Sequence, residues 1–398
     1  MNSVFEIPAA IIDRLIENGY EAYFVGGSVR DMLLGREIGD VDIATSAQPR
    51  AVMQLFNKTL PIGIEHGTVV VEQSGHFYEV TTFRTDGDYL DYRRPSEVKF
   101  VSSLKEDLQR RDFTINAIAL TKDGQIIDPF SGRDDLQRRR ICTVGNPSER
   151  FSEDALRMMR ALRFSSQLDF KVEEETVKAI TLHAEMLKHI AVERISVEFD
   201  KLLLGENRGQ ALRLLADTGL SESLPGLAGR KDVLHQMADS RLRELRELTE
   251  FWTVLFHFLD LSDPQSLFEI WKLPKKRRTN IRILLDAVHS ASSKGWTDWQ
   301  LYKFGGSYSQ SAARITAALS GVAAQPALEE IARRYSSLPI HSRNELELDG
   351  RNLISWSGKR PGPWIEKALS SVEKAVVEQK LANDRADMKE WLEQCNLL

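Results

Sequence analysis

The stretch FVGGSVRDMLLGREIGDVDIAT, residues 24–45 of a 398-residue chain, leaves few folds open. Residues 40–45, DVDIAT, alternate with period two, so a strand is expected with Asp40 and Asp42 projecting from one face. Two carboxylates this close repel unless something positive lies between them. A hard divalent cation such as Mg2+, its shell completed by phosphate oxygens, is the usual solution. Just upstream, Gly26 and Gly27 permit close backbone approach. Ser28 reads as the cap of a helix whose free N–H groups could receive phosphate, and Arg30 adds a forked donor in its first turn. DMLLG continues that helix to a C-terminal cap at Gly35. There is no Gly-x-x-x-x-Gly-Lys-Ser/Thr, so a P-loop is not what holds the phosphates.

Around this motif the first 145 or so residues mix strands and helices. GTVVVEQSGHFYEVTTFR (67–84) reads as a hairpin about Ser-Gly, and IALTKDGQIIDPF (118–130) as another about Lys-Asp-Gly. After residue 150, stretches of helical period dominate: 152–167, 172–188, 193–204, 208–218, 236–258, 275–290 and 364–394. Breaks near 224–229, 305–307 and 358–363 mark turns or joints. The expected architecture is an α+β head with a mixed sheet, then an all-α neck, body and tail, divided as 1–147, 148–210, 211–310 and 311–398.

Charge narrows the function classes. Lys+Arg is 53 and Asp+Glu 58, a net of −5, which speaks against coating nucleic acid by bulk positive charge. Residues 1–150 carry 18 basic and 23 acidic side chains, so the whole excess lies there, around the carboxylate pair. Two cysteines make neither a disulfide framework nor a four-thiolate metal site. The first 20 residues read as an amphipathic helix, not a signal peptide, and the most apolar run, 251–261, is too short to span a bilayer. A cytoplasmic protein without membrane attachment is expected.

Five further segments follow in order: RRDFTINAIA (110–119), DPFSGRDDL (128–136), SEDALRMMRALRF (152–164), ERISVEF (193–199) and LELDGRNLISWSGKRPGPWIEKAL (346–369). With the Gly-Gly and Asp-Val-Asp segment, this order closely resembles the class II tRNA nucleotidyltransferases (CCA-adding enzymes) of the polymerase-β superfamily, a group that also holds bacterial poly(A) polymerases. The resemblance implies metal-dependent addition of C, C and A to the 3′ end of tRNA from CTP and ATP. It places Asp40 and Asp42 on the metal and in catalysis, and Gly27, Arg30 and Arg111 on the triphosphate side of the nucleotide. It places Asp154, Arg157, Arg160 and Arg163 at the nucleotide. ERISVEF would stabilise that selecting helix. Asp112 is expected as a helix cap or sugar contact, and Asn116 as a sugar contact or loop anchor. Asp91, Arg93 and Arg94 fall in a Gly-, Asp- and Arg-rich loop that looks like the family's switch from C to A addition. Glu79 stays open between third carboxylate and solvated strand residue.

Base choice also follows from the residues. If 152–167 is one helix, Asp154 and Arg157 at i and i+3 are neighbours on one face. They offer an acceptor beside a donor. The pairing edges of cytosine and adenine present the complement, an amino donor beside a ring-nitrogen acceptor; uracil and guanine present the reverse. On the same helix Arg160 would flank the pocket and Arg163 would lie roughly opposite Asp154. For RNA, the densest basic run supplies Lys275, Lys276, Arg277 and Arg278, and Lys359 with Arg360 could add a second contact. A homodimer is compatible with the sequence. The alternatives are a poly(A) polymerase, a CC-only or A-only enzyme on the same scaffold, and an inactive RNA-binding protein. The C-terminus lacks the basic tail expected of the first, and the intact Asp pair argues against the last.

Overall fold

A computed structural model describes residues 3–86, 98–261 and 263–398. It divides into two compact units, Met1–His235 and Gln236–Leu398. The first opens with α1 (Glu6–Glu17), β1 (Ala22–Val25), α2 (Gly27–Leu33), β2 (Asp42–Thr45) and α3 (Pro49–Leu55). Then come β3 (Thr59–Leu60), β4 (Thr68–Gln73), β5 (His76–Thr82), β6 (Arg84–Asp86), β7 (Val98–Phe100), α4 (Leu104–Gln109), β8 (Ala119–Leu120), β9 (Ile126–Ile127) and α5 (Gly132–Gln137). Seven strands form one mixed sheet in the order β3-β4-β5-β2-β1-β8-β9. Only the β2–β5 pairing in it is parallel, and it sets Asp42 directly beside Glu79.

The alternation seen in the sequence decides which face is buried. Phe24, Ile43, Val69, Val71 and Val80 are fully buried on the face covered by α1 and α3, against Ile11, Ile12, Leu15 and Val52. Each such side chain contributes about 1.5–3 kcal/mol. The opposite face carries Asp42 and Glu79. Part of it is covered by a second cluster in which Val25, Ala44 and Ala119 meet Phe83, Leu104, Leu108 and Val144. Both expected hairpins form, the first through Ser74 and Gly75 at φ 52° and 82°, the left-handed pair of a tight two-residue turn. Gly35 ends α2 at φ 64°, as expected. The strand expected from residue 40 starts at Asp42, leaving Asp40 exposed just before it.

After β10 (Arg140–Ile141) the unit is mainly helical: α6 (Pro147–Glu153), α7 (Leu156–Leu168), β11 (Lys171–Val172), α8 (Glu174–His183), α9 (Val192–Leu203) and α10 (Arg208–Asp217). The single helix expected over 152–167 is two. Asp154 has extended backbone, φ −139° and ψ 102°, and its carboxylate accepts the Leu156 N–H at 3.0 Å, which starts a new helix. The chain passes into the second unit along α11 (Lys231–Asp239), followed by α12 (Leu248–Leu259), α13 (Gln265–Ile270), α14 (Lys275–Lys294), α15 (Asp298–Ser320), α16 (Gln325–Ser336), α17 (Gly350–Ser357), α18 (Trp364–Val377) and α19 (Arg385–Gln394). The stretches 236–258 and 364–394 are thus each broken, and the expected turn at 305–307 is a kink inside α15 at Gly305, φ 76°. Within this unit the buried Glu250 takes Arg314 at 2.6 Å, joining α12 to α15. No helix among the described residues is long and apolar enough to cross a membrane.

The DPFSGRDDL segment is a clamp. Asp128 accepts the Gly132 and Arg133 N–H groups at 2.8 and 2.9 Å, and Asp135 takes the Thr114 hydroxyl at 2.7 Å. This fixes the turn Thr114–Asn116, which borders the site. A Cβ on Gly132 would lie 2.2 Å from the Thr114 carbonyl oxygen. Gly132→Ala should therefore destabilise the unit by about 1–3 kcal/mol in chemical denaturation; an unchanged midpoint would contradict the close approach.

Candidate active site

One cavity of about 1140 Å³ gathers Gly27, Arg30, Asp42, Arg111, Asp154, Arg157, Arg160 and Arg163, together with Glu79. Asp40, also expected at the site, is exposed and is not among the residues that line the cavity, but its charge acts on Asp42. The loop residues Asp91, Arg93 and Arg94 lie outside the described residues. Lys275, Lys276, Arg277 and Arg278 form the first turn of α14 in the second unit.

The acidic side of the cavity is under-compensated. Burial, the neighbouring Glu79 and then Asp40 raise the Asp42 carboxyl to about 6, against the opposing pull of Arg111. Asp42 and Glu79, level across β2 and β5 with Asp40 two residues before, are oxygen donors of the kind a hard divalent cation takes, though among the described residues no three such side chains are gathered into a metal group. Gly26, at φ 74°, is the backbone cradle beside them. A Cβ there would sit 3.3 Å from Arg111 Nη1 and 3.4 Å from Asp42 Oδ2. Gly26 is also the cap of α2. Ser28, expected in that role, is instead buried inside the first turn, donating its hydroxyl to the Val25 carbonyl at 3.0 Å.

The basic side is crowded. Arg30 pairs with Asp31 and donates to Asn116 Oδ1 at 2.8 Å. Arg111 reaches Asp107 at 3.3 Å. Arg30, Arg160 and Arg163 surround the Phe164 ring at 5.2, 5.4 and 4.1 Å. Burial and the adjacent Arg160 bring the Arg163 guanidinium down to about 10. Its Nε is 3.1 Å from Glu198 but out of hydrogen-bond alignment. Arg111 Nε and Arg194 Nη1 are likewise buried donors without an acceptor among the described residues. Such donors around one cavity fit a polyanion.

Asp154 and Arg157 face the cavity by a route other than a shared helix. Asp154 ends α6, and Arg157 is the second residue of α7. Arg163 can therefore share the cavity with Asp154, because the two are not set around one helix. Asp154 Oδ2 is held by Arg194 at 2.8 Å. Arg157 pairs with Glu153 and donates to the Arg150 and Arg110 carbonyls at 3.1 Å each. Both groups thus have partners within the chain, which keep them in place. Glu153, Arg194 and Glu198 were not singled out as individual residues by the sequence reading. The signal for two of them was the i,i+4 spacing of Arg194 and Glu198, which puts both on one face of α9.

Asp112 is neither a simple helix cap nor exposed to a ligand alone. It accepts Arg160 Nε at 2.6 Å, Asn116 Nδ2 at 3.1 Å and the Phe113 N–H at 2.9 Å. Burial alone would raise its carboxyl, but Arg160, the Asn116 bond and Arg157 outweigh that and hold it at about 2. A depressed folded-state value stabilises the fold above the unfolded value and loses that contribution as pH falls toward 2. Asp112→Asn should cost about 2 kcal/mol near pH 7, with the deficit shrinking between pH 4 and 2 in denaturant titrations. A deficit independent of pH would show that charge is not what the site uses.

Comparison with known proteins agrees with this geometry. The model of the poly(A) polymerase head domain matches residues 22–142, that of the RNA- and SrmB-binding site of polymerase A residues 169–230, and that of tRNA nucleotidyltransferase domain 2 residues 243–392. The CCA-adding enzyme of Geobacillus kaustophilus is 49% identical over 100% of this chain and 98% of its own length, and that of Geobacillus stearothermophilus 47% over 100% and 98%. The crystal structure of the Bacillus stearothermophilus CCA-adding enzyme in complex with CTP superposes with a TM-score of 0.93 at 45% identity, covering 100% of this chain and 98% of that one. The Thermotoga maritima CCA-adding enzyme complexed with tRNA shares the fold at 20% identity, TM-score 0.72, over 99% and 96%. Identity of this level running the full length of the chain, with the matching fold, shows that it belongs to the CCA-adding enzymes, a family of tRNA nucleotidyltransferases.

Proposed function

We infer that this chain adds C, C and A in turn to the 3′ end of tRNA, using CTP and ATP, releasing pyrophosphate and needing no nucleic-acid template. The observation that carries the reading is the meeting, in one cavity, of Asp42 and Arg111 with the acceptor Asp154 and the donor Arg157. A template held in protein has to present a fixed acceptor beside a fixed donor, and these two are held from behind by Arg194 and Glu153.

Asp40 and Asp42, with Glu79 beside them, would hold divalent metal, with Mg2+ as the ion. Bound there, it would make the attacking hydroxyl more acidic and offset triphosphate charge. The Gly26–Gly27 backbone, Arg30 and Arg111 accept the triphosphate on one flank of the carboxylates. Arg163, crowded by Arg160 and meeting Glu198 only out of alignment, gains from an anion nearby, while Arg160 flanks it, held by Asp112. Asp154 and Arg157 accept the amino and ring-nitrogen edge of cytosine or adenine and leave uracil and guanine with mismatched polar groups. Each such mismatch costs about 1–3 kcal/mol.

The reading assigns catalysis to residues 1–147, base selection to 148–210 and tRNA grip to 211–310 and 311–398. Lys275, Lys276, Arg277 and Arg278 support the grip in a specific way. Four cations occupy the first turn of α14, where the helix dipole disfavours positive charge. RNA phosphate offsets that cost without reading sequence. Asp91, Arg93 and Arg94 are assigned to the switch from C to A addition on the strength of the resemblance. A cytoplasmic location belongs to the same reading.

The test is a tRNA lacking its last three nucleotides, supplied with Mg2+ and labelled CTP and ATP singly and together. Growth by CCA followed by a stop is expected; unbounded A addition, or C addition that never proceeds to A, would contradict the assignment. Asp42→Ala should abolish transfer while tRNA affinity stays within about twofold. Arg157→Ala should narrow the preference for CTP over UTP by about tenfold or more, measured as a ratio of kcat/KM values. Unchanged discrimination would remove Arg157 from the template.

A further inference from the structure

The strand register carries the sheet face of Asp42 and Glu79 on to residues that none of these roles uses. Across the catalytic face of the sheet, Val25 stands beside Asp42, Asp42 beside Glu79, Glu79 beside Val70 and Val70 beside Leu60. One row along β4 and β5, Thr81 faces Thr68, their hydroxyls 3.0 Å apart. In the other direction, Phe77 is two residues from Glu79 on the same strand and therefore on the same face, about 7 Å along it. Phe77 is 65% exposed and Leu60 46% exposed.

The donors assigned to the triphosphate, Gly26, Arg30 and Arg111, all lie on the β1 side of Asp42, whereas β5 and β4 lie on the other side. In-line displacement puts the attacking hydroxyl opposite the leaving pyrophosphate, with the carboxylates between them. The attacking strand must then approach over β5 and β4. Glu79, Thr68 and Thr81 line the same cavity as Asp42, and Val70, Leu60 and Phe77 continue the same sheet face beyond its lining.

We propose that this face, with Phe77 as its platform, seats the terminal nucleotide of the RNA being extended. The proposal rests on the tRNA-extending activity inferred above. Stacking on an aromatic ring is the contact the reaction calls for. The base at the RNA end changes from one round of addition to the next, so hydrogen bonds to its edge would serve one round and fail another. Every base has a π face, and a ring accepts all of them. The apolar Val70 and Leu60 extend the platform, and the two threonine hydroxyls can meet ribose or phosphate oxygens.

The experiment uses the full chain with a tRNA lacking its last three nucleotides, comparing the unaltered enzyme with Phe77→Ala and Phe77→Tyr. Phe77→Ala should lower kcat/KM for tRNA about tenfold, with the KM for CTP and the thermal midpoint unchanged, and Phe77→Tyr should restore it. An unaltered kcat/KM in Phe77→Ala, or an equal loss in Phe77→Tyr, overturns the platform alone. Failure of the unaltered enzyme to add CCA overturns the activity assignment and this subsite with it.

Discussion

Everything at this site depends on the repulsion stored where β2 runs parallel to β5. That pairing brings Asp42 level with Glu79 at the rim of a largely buried sheet, and Asp40 adds its field from the strand entrance. Burial and the negative charge of Glu79 raise the Asp42 carboxyl to about 6, and the same negative field attracts a cation. The helices on the far face hold the strands rigidly through fully buried aliphatic side chains, so the repulsion cannot relax by splaying the sheet. The bare backbone of Gly26 lies against both Arg111 and Asp42, so that a side chain there would crowd the carboxylate.

The second constraint is that an arginine-rich pocket must stay folded without its ligand. Here each cation is given an internal partner of graded quality. Asp112 holds Arg160 tightly, Glu153 holds Arg157, and Glu198 meets Arg163 only out of alignment. The tight pairs hold α7 in place, while the loose one leaves a charge that an anion in the cavity could meet. Breaking α6 from α7 at Asp154 is part of this design. An extended residue can aim its carboxylate into the cavity and still start the next helix with the same side chain.

Much of this was legible in the sequence. The α+β head, both hairpins, the cap at Gly35 and the helical remainder follow from period and turn chemistry. Eight of the named nucleotide and carboxylate residues lie together in one cavity, because the ordered motifs carry that information. Other features were hidden for physical reasons. Periodicity reads spacing along the chain, and the buried Phe151, Ala155, Met158, Met159 and Leu162 keep helical spacing across the break, so Asp154 leaves no trace in it. Ser28 has the chemistry of a cap, but a glycine with positive φ took that place and the serine was buried. Glu79 could not be placed because register between β2 and β5, 37 residues apart, is a tertiary fact. Glu153 and Glu198 look like surface charges until their arginine partners are seen to be buried.

The central claim is that base choice resides in the protein itself. Calorimetric binding of each of the four ribonucleoside triphosphates to the isolated chain, with no RNA present, tests it most directly. The account predicts that CTP and ATP bind and that UTP and GTP bind at least about tenfold more weakly. Equal affinity for all four would contradict it and move the template to the RNA.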